Sequence, residues 1–419
     1  MRAVARIALL LGALACSGRS TPPEAPKKTR IVLKYGPLWG PPGPFRELLS
    51  AFERSNPDVQ VAAEPMPNAS DLAHQLFVTA LEGGAADLDV IVIDVIWTAE
   101  FARAGWIADL SKAFPPERLR AEMLPGAVDA AVLEGRTFAV PWYVDVGLLY
   151  YRKDLVPRAP RTYDELYRFA REAMAREPAL SGFLWQGRQY EGLDCNVFEA
   201  IWGHGGRTLV GGRLVLDSPP GREGLAYLRE LVASGLSPPS VTSAAEEDSR
   251  RRFQQGHAVF MRNWPYALAE LEGSGSPVRG RVAIAPLPTD DGAPGSGALG
   301  GWQLAVSARS PPRRRAAAER LVAHLSSPEA SLVLALDYAR NPARRALYSE
   351  PRLAAGAPRI ASLLPIVEQA RPRPVSPYYQ LVADVLQGEF SAAVTGLRSP
   401  EDALRRAQRQ IDRIAGQAP

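Results

Sequence analysis

Cysteine, histidine and lysine are all scarce in this sequence, and each shortage closes off a class of protein. The two cysteines, Cys16 and Cys195, are too few for a disulfide framework or a cysteine-built metal site. The four histidines, His74, His204, His257 and His324, are scattered and lack metal-ligand spacing such as His-Glu-x-x-His, so no bound metal and no cofactor is expected. Lysine occurs only at positions 27, 28, 34, 112 and 153, and no glycine-rich phosphate loop with a following lysine is present. Gly203-His204-Gly205-Gly206 has the look of an esterase oxyanion loop. There is no Gly-x-Ser-x-Gly elbow to accompany it, and the segment reads as a turn. Internal repeats and low-complexity tracts are also missing.

What remains is the profile of a globular protein. Hydrophobic residues make up 46% and charged residues 22% of 419 positions, a length that suits two domains. The formal charge is +4, carried almost wholly by arginine. Two arginine triplets, Arg250-Arg251-Arg252 and Arg313-Arg314-Arg315, stand beside Glu246, Glu247, Asp248 and Glu319 and are expected to be solvated helix faces. With no nucleic-acid-binding motif present, nucleic acid is not expected as a partner.

The N-terminus has its own logic. Residues 1–6 form a short basic region, residues 7–15 an apolar run, and Ala13-Leu14-Ala15-Cys16 follows. Nine apolar residues are too few to span a bilayer and suit the core of a signal peptide. Small residues before a cysteine resemble a lipoprotein processing site, although the usual Leu is replaced by Ala13. Two processings fit: lipidation of Cys16, or secretory cleavage near Ala15 with Cys16 a bystander. Both export the chain, and a lipid on Cys16 would anchor it to a membrane without spanning it. Residues 17–29, rich in Ser, Pro and Lys, read as a tether. Beyond them no stretch is long and apolar enough to cross a membrane. Cys195 reads as a packed small residue.

Downstream, residues 31–35 read as a strand, a Gly/Pro-rich loop spans 36–44, and Phe45, Leu48, Leu49 and Phe52 fall at helical spacing. Residues 59–63 form a second strand candidate and 72–81 a helix. Val90-Ile91-Val92-Ile93 is a continuous apolar run, as in a strand buried on both faces of a parallel sheet. This rhythm predicts an α/β lobe of doubly wound character. A second lobe is expected from about residue 145. There residues 148–151 read as a strand, and Thr162-Tyr163-Asp164-Glu165 as a capping box opening a helix with Leu166, Phe169 and Met174 inward. Further helices are expected over 221–234 and 248–255, strands over 258–261 and 300–306, and helix starts at Ser327-Pro328 and Ser399-Pro400.

Ligands of open α/β sheets sit at the carboxyl ends of strands. Asp94 follows the 90–93 run, with Trp97 close behind. Asp145 lies in Pro141-Trp142-Tyr143-Val144-Asp145, just before the 148–151 strand. Trp264 and Tyr266 follow 258–261, and Trp302 follows two glycines, Gly300 and Gly301. All eight tryptophans lie between residues 39 and 302. Carboxylates accept hydroxyl hydrogen bonds, and indole and phenol rings offer flat apolar platforms, a combination that fits a sugar. Taken singly, each Trp reads equally as core and each Asp as a helix cap. Asp94 and Asp145 could also be a glycosidase carboxylate pair, although nothing in the sequence points to the raised-pKa acid that chemistry needs.

Several segments in the right order resolve this. Asp94-Val95-Ile96-Trp97-Thr98-Ala99-Glu100-Phe101 with Gly105-Trp106, and residues 141–155, resemble the extracellular solute-binding family that includes maltose-binding protein. Tyr190-Glu191-Gly192-Leu193-Asp194-Cys195-Asn196, residues 253–266, Gly300-Gly301-Trp302 and residues 371–379 add to the likeness, which is strongest to the trehalose/maltose-binding branch of sugar transporter receptors. The resemblance implies a two-lobed periplasmic-binding-protein fold (type II) of α/β class, with discontinuous domains joined by hinge strands. Its implied lobes are residues 30–144 with about 303–340, and 145–302 with about 341–419, behind a signal peptide over 1–15 and a lipid-anchored tether over 16–29. It also implies a non-enzymatic monomer that captures a disaccharide and delivers it to the permease of an ABC importer.

The ligand set carried over by position is Asp94, Tyr143, Asp145, Trp264, Tyr266, Gly301, Trp302 and Arg373, with Trp39, Asn68 and Trp97 as further candidates. One departure stands out. Relatives that bind trehalose or maltose carry an acidic residue in the first strand-to-helix loop, whereas here Gly36-Pro37-Leu38-Trp39-Gly40 has none and Trp39 offers a ring instead. That keeps two alternatives in view: the same fold with another small solute (polyol, aminosugar, peptide or metal chelate), and a secreted carbohydrate-active enzyme.

Overall fold

A computed structural model describes residues 28–417 apart from Trp39, Asn68 and Ala86. The signal segment, most of the tether and Cys16 lie outside the described residues, as do Trp39 and Asn68.

The first sheet opens as the apolar pattern dictates. Strand Thr29–Tyr35 pairs in parallel with Val59–Pro65 on one side and Val90–Asp94 on the other. Helix Pro42–Ser55 turns Phe45, Leu48 and Phe52 inward, and Ser70–Glu82 buries Ala73, Phe77 and Leu81, each set recurring every three to four residues. Val90–Asp94 is buried along its whole length, as its unbroken apolar run predicts. Its far neighbour is a surprise: the long strand Ala298–Val306 lies antiparallel to it, so the sheet is mixed. Across the sheet the order is Asn341–Pro342, Val140–Val146, Ala298–Val306, Val90–Asp94, Thr29–Tyr35, Val59–Pro65, with Arg371–Pro372 pairing onto Ala298 and Leu299.

The segment around Asp145, expected to lead into the next strand, is itself the strand Val140–Val146. It runs antiparallel to Ala298–Val306, and Asp145 lies near its end rather than after one. Gly147 alone separates it from Leu148–Arg152, which belongs to a second sheet ordered Val282–Ala285, Leu148–Arg152, Ala258–Asn263, Ser181–Leu184. The chain thus passes from one sheet to the other through a single glycine. It returns through Ala298–Val306.

Among the described residues three cores follow from this layout, one of them gathering Phe77, Ile91, Ile93, Phe101 and Ala305 in the first lobe. Ile31, Leu33, Val90 and Val92 pack with Ala317, Leu321 and Leu325 from the late helix Pro312–Leu325, so the first lobe is completed by sequence that follows the second sheet. The largest core gathers Leu148, Phe260, Phe198, Phe390 and Leu404. Helix Glu191–Gly203 runs through it buried on every side, covered by Pro219–Ala233 and Tyr379–Val394, onto which the last helix Pro400–Gln417 packs in turn. Thr162 caps the helix Tyr163–Arg176 by accepting from Glu165 N at 3.1 Å. The Glu165 carboxylate accepts from Arg161 N, so only half of the expected capping box forms.

The arginine triplets depart from expectation. Arg250 is buried and forks onto Glu247 with contacts of 2.8–3.1 Å, and Arg314 reaches the buried Asp89 at 2.5 Å. Asp89 also accepts from Val32 N at 2.9 Å and Ser310 Oγ at 2.7 Å. Each triplet spends one member on an internal ion pair, where a lone acid would be costly to bury.

Candidate functional site

Where the sheets meet, a cleft of about 110 Å³ opens between the lobes. Asp94, at the carboxyl end of its strand, accepts from Ile96 N at 3.2 Å, which fixes the turn that follows. Its Oδ1 also accepts from Arg373 Nη2 at 3.0 Å, and Arg373 Nη1 donates to Glu191 Oε1 at 2.7 Å. The guanidinium therefore bridges a carboxylate at the end of a first-sheet strand and one at the N-terminus of the central helix of the largest core. Arg373 Nε is buried without a partner among the described residues. Tyr379 OH donates to the same Glu191 oxygen at 2.8 Å. Burial dominates Glu191 and pushes its carboxyl up to about 7, because Arg373 divides its attraction between two acids and Asp94 repels from across the cleft.

Asp145 lies deeper. Burial raises its carboxyl above the ordinary range, against the pull of Arg340, whose Nη1 is 3.9 Å from Oδ2, while Asp94 adds to the rise. Its Oδ1 has no hydrogen-bond partner among the described residues. Arg340 sits with its guanidinium carbon 4.9 Å from the Tyr143 ring centre and 5.4 Å from that of Tyr266, and donates to Pro37 O at 3.3 Å. One cation thus touches the first loop, the crossing strand and the second lobe.

The aromatic walls are held from behind. Trp264 donates through Nε1 to Glu246 Oε1 at 3.3 Å, and its carbonyl accepts from Tyr150 OH at 2.7 Å. Tyr266 donates to Glu247 Oε1 at 2.8 Å. Trp302, half-buried, is paired across the first sheet with Asp94 on one side and Tyr143 on the other. Gly301, at φ +135°, allows the close approach: a Cβ there would stand 2.6 Å from Tyr143 O.

Eight predicted positions, Asp94, Tyr143, Asp145, Trp264, Tyr266, Gly301, Trp302 and Arg373, therefore line one cleft. Trp97 does not. It is buried in the first lobe, edge-on to Trp302 at 5.6 Å between ring centres, and backs the wall rather than forming it. Cys195 reaches the cleft lining but is buried, and burial raises its thiol well above the usual range. Arg340, Glu191 and Glu246 also line the cleft and were not singled out. Glu191 lies in the segment 190–196 that carries the family likeness, where nothing in the sequence marks its role. Arg340 follows Ala339, a left-handed residue at φ 50°, and nothing local in the sequence marks either. On a different surface, the fold brings His204, Glu223 and Asp290 together with ligand atoms within 4.8 Å of one another, a proximity their scattered sequence positions hide. His204 Nδ1 and Asp290 Oδ2 lie at hydrogen-bond distance, 2.6 Å apart.

A two-lobed α/β molecule with a polar, aromatic-walled cleft at the crossing strands defines a solute receptor. Residues 39–331 match the family described as bacterial extracellular solute-binding protein, and the chain belongs to that family. A probable ABC transporter-binding protein of Deinococcus radiodurans is 33% identical over 365 residues, covering 84% of this chain and 86% of the relative. The maltose-bound structure of T. maritima MalE3 is 38% identical with a TM-score of 0.86, over 92% of this chain and 99% of that one. A mannitol-binding protein of Pseudomonas aeruginosa is 25% identical over 398 residues, covering 88% of this chain and 89% of the relative. The protein is an exported solute-binding component of an ABC transporter, and not an enzyme.

Proposed function

We propose that the chain binds a disaccharide such as maltose or trehalose between its lobes and hands it to the transporter's permease. The observation that carries this is the pairing of two cleft carboxylates, Asp94 and Asp145, with the rings of Trp264, Tyr266 and Trp302. Carboxylates and Arg373 would hold the hydroxyls in charge-assisted hydrogen bonds, and the rings would cover the C–H faces. The cleft's 110 Å³ is small beside the roughly 300–1,000 Å³ of small-molecule sites, so entry requires the lobes to part and capture requires them to close. The sugar favours the closed state because only there does it touch both lobes.

A polyol is the second reading. The first loop supplies no carboxylate at Gly36–Gly40, and the relative from Pseudomonas aeruginosa is named for mannitol. Calorimetry with maltose, trehalose and mannitol separates the two readings. Binding to none of them, or affinities unchanged in both Asp94→Ala and Trp302→Ala, would falsify the site. Cys16 is proposed as the lipid-bearing residue that tethers a monomeric receptor near its permease. Mass spectrometry of the membrane-extracted protein tests this, and a mature N-terminus other than a lipidated Cys16 overturns it.

A further inference from the structure

Behind Trp264 lies a buried ion pair outside the cleft lining. Arg262 is 1% and Glu199 5% exposed. Arg262 Nε donates to Glu199 Oε2 at 2.8 Å and Nη2 to Oε1 at 2.5 Å, a fork of two parallel bonds. Nη1 donates to Gln186 Oε1 at 3.2 Å. The flat face of the same guanidinium lies 3.9 Å from the centre of the Trp264 ring. Its partner acid continues the chain of contacts in the other direction. Glu199 Oε1 accepts from Ala298 N at 2.8 Å, the first residue of the strand that crosses back into the first sheet. Gly147, where the chain first crosses, donates to Ala298 O at 3.3 Å. A Cβ on Gly147 would collide with both Glu199 and Arg262, so this crossing glycine is in van der Waals contact with the pair.

We propose that Glu199 and Arg262 are positioning residues that couple the Trp264 platform to the two strands on which the lobes hinge. A tilt of the indole under a bound sugar is transmitted through a rigid fork to Ala298 and Gly147, and a change at the hinge returns to the ring by the same route. The pair is suited to this. A bidentate arginine–carboxylate fork fixes orientation as well as distance, and a desolvated guanidinium holds an indole face more firmly than an exposed one. Lysine cannot replace it, because its ammonium neither forks nor stacks.

The inference rests on the sugar-receptor reading, so its test has an arm that needs no sugar. Spin labels placed on the two lobes of the full-length protein report the distribution of interlobe distances. The emission difference between wild type and Trp264→Phe reports the indole's surroundings. In Arg262→Lys, and in the shape-preserving Glu199→Gln, both signals are expected to shift in unliganded protein. If both variants keep the wild-type distance distribution and the wild-type Trp264 emission, the coupling does not exist, whatever the protein binds. The second arm uses maltose as the probe. Arg262→Lys is expected to weaken it about tenfold in the wild-type background and to have little further effect in Trp264→Ala. Equal losses in the two backgrounds would mean a purely structural role and overturn the proposal. Failure of wild type to bind maltose, with the first arm positive, would count against the sugar and leave the coupling standing.

Discussion

At the scale of single residues, the cleft is a place where charge has been buried and only partly matched. Asp94→Ala is expected to weaken sugar binding by at least about tenfold in calorimetry, since charge-assisted hydrogen bonds are the stronger kind. It should also lower the melting temperature, because Arg373 would then keep only Glu191 as a buried partner. Arg340→Met tests the residue that touches three parts of the cleft at once. The stem still fills space, but Asp145 loses its nearest cation and the Tyr143 and Tyr266 rings lose theirs. Sugar affinity should fall while the far-ultraviolet spectrum stays unchanged; wild-type affinity would remove Arg340 from the site. Gly301→Ala places a side chain where the backbone is at φ +135° and Tyr143 O stands close, and should cost about 1–3 kcal/mol in urea unfolding.

Glu191 belongs to the scale of elements, because its carboxyl is the first residue of a helix buried on every side. Its raised value, about 7 against an ordinary 4.5, means that the folded chain holds a proton the unfolded chain releases between those pH values. Stability should therefore decline as pH rises from 4.5 to 7 and should be fully retained below that window. Glu191→Gln carries no such proton. The difference in urea midpoint between wild type and variant should narrow toward acid and widen toward neutrality, and a difference that does not vary with pH would show that Glu191 is ionised throughout.

The elements also show what a reader of the sequence could and could not see. Strand Val90–Asp94 and helix Pro42–Ser55 were legible because the first is an unbroken apolar run and the second repeats its apolar residues every three to four positions. Strand Val140–Val146 was not. It is buried on both faces, carries Asp145 inside it and begins next to a proline, so neither alternation nor polarity marked its extent. Ala298–Val306 could be read as a strand, but its antiparallel place in the first sheet depends on contacts with segments some 150 and 200 residues earlier. The cleft residues were gathered by the family likeness. Arg340 and the Glu199–Arg262 pair escaped because arginine is common in this chain and only tertiary contacts distinguish these two.

At the scale of the molecule, two lobes joined by crossing strands make binding and shape one event. Saturating maltose should reduce the radius of gyration in solution scattering. At a ligand concentration near 100 times Kd it should also stabilise the fold by about 2.7 kcal/mol, read as a shift in the urea midpoint. A receptor that gained stability without becoming more compact would contradict closure as the means of capture.

The return of Ala298–Val306 into the first sheet has a further consequence, in the order of synthesis. A strand at the middle of the N-terminal lobe, and the helix Pro312–Leu325 that covers its core, emerge from a ribosome only after the whole second sheet. Until they do, Val90–Asp94 has one flank unpaired and that core lacks a wall. The lobe made first cannot be finished first. Folding of the first lobe therefore depends on sequence that follows the second sheet, and its core closes only once residues 298–325 are in place.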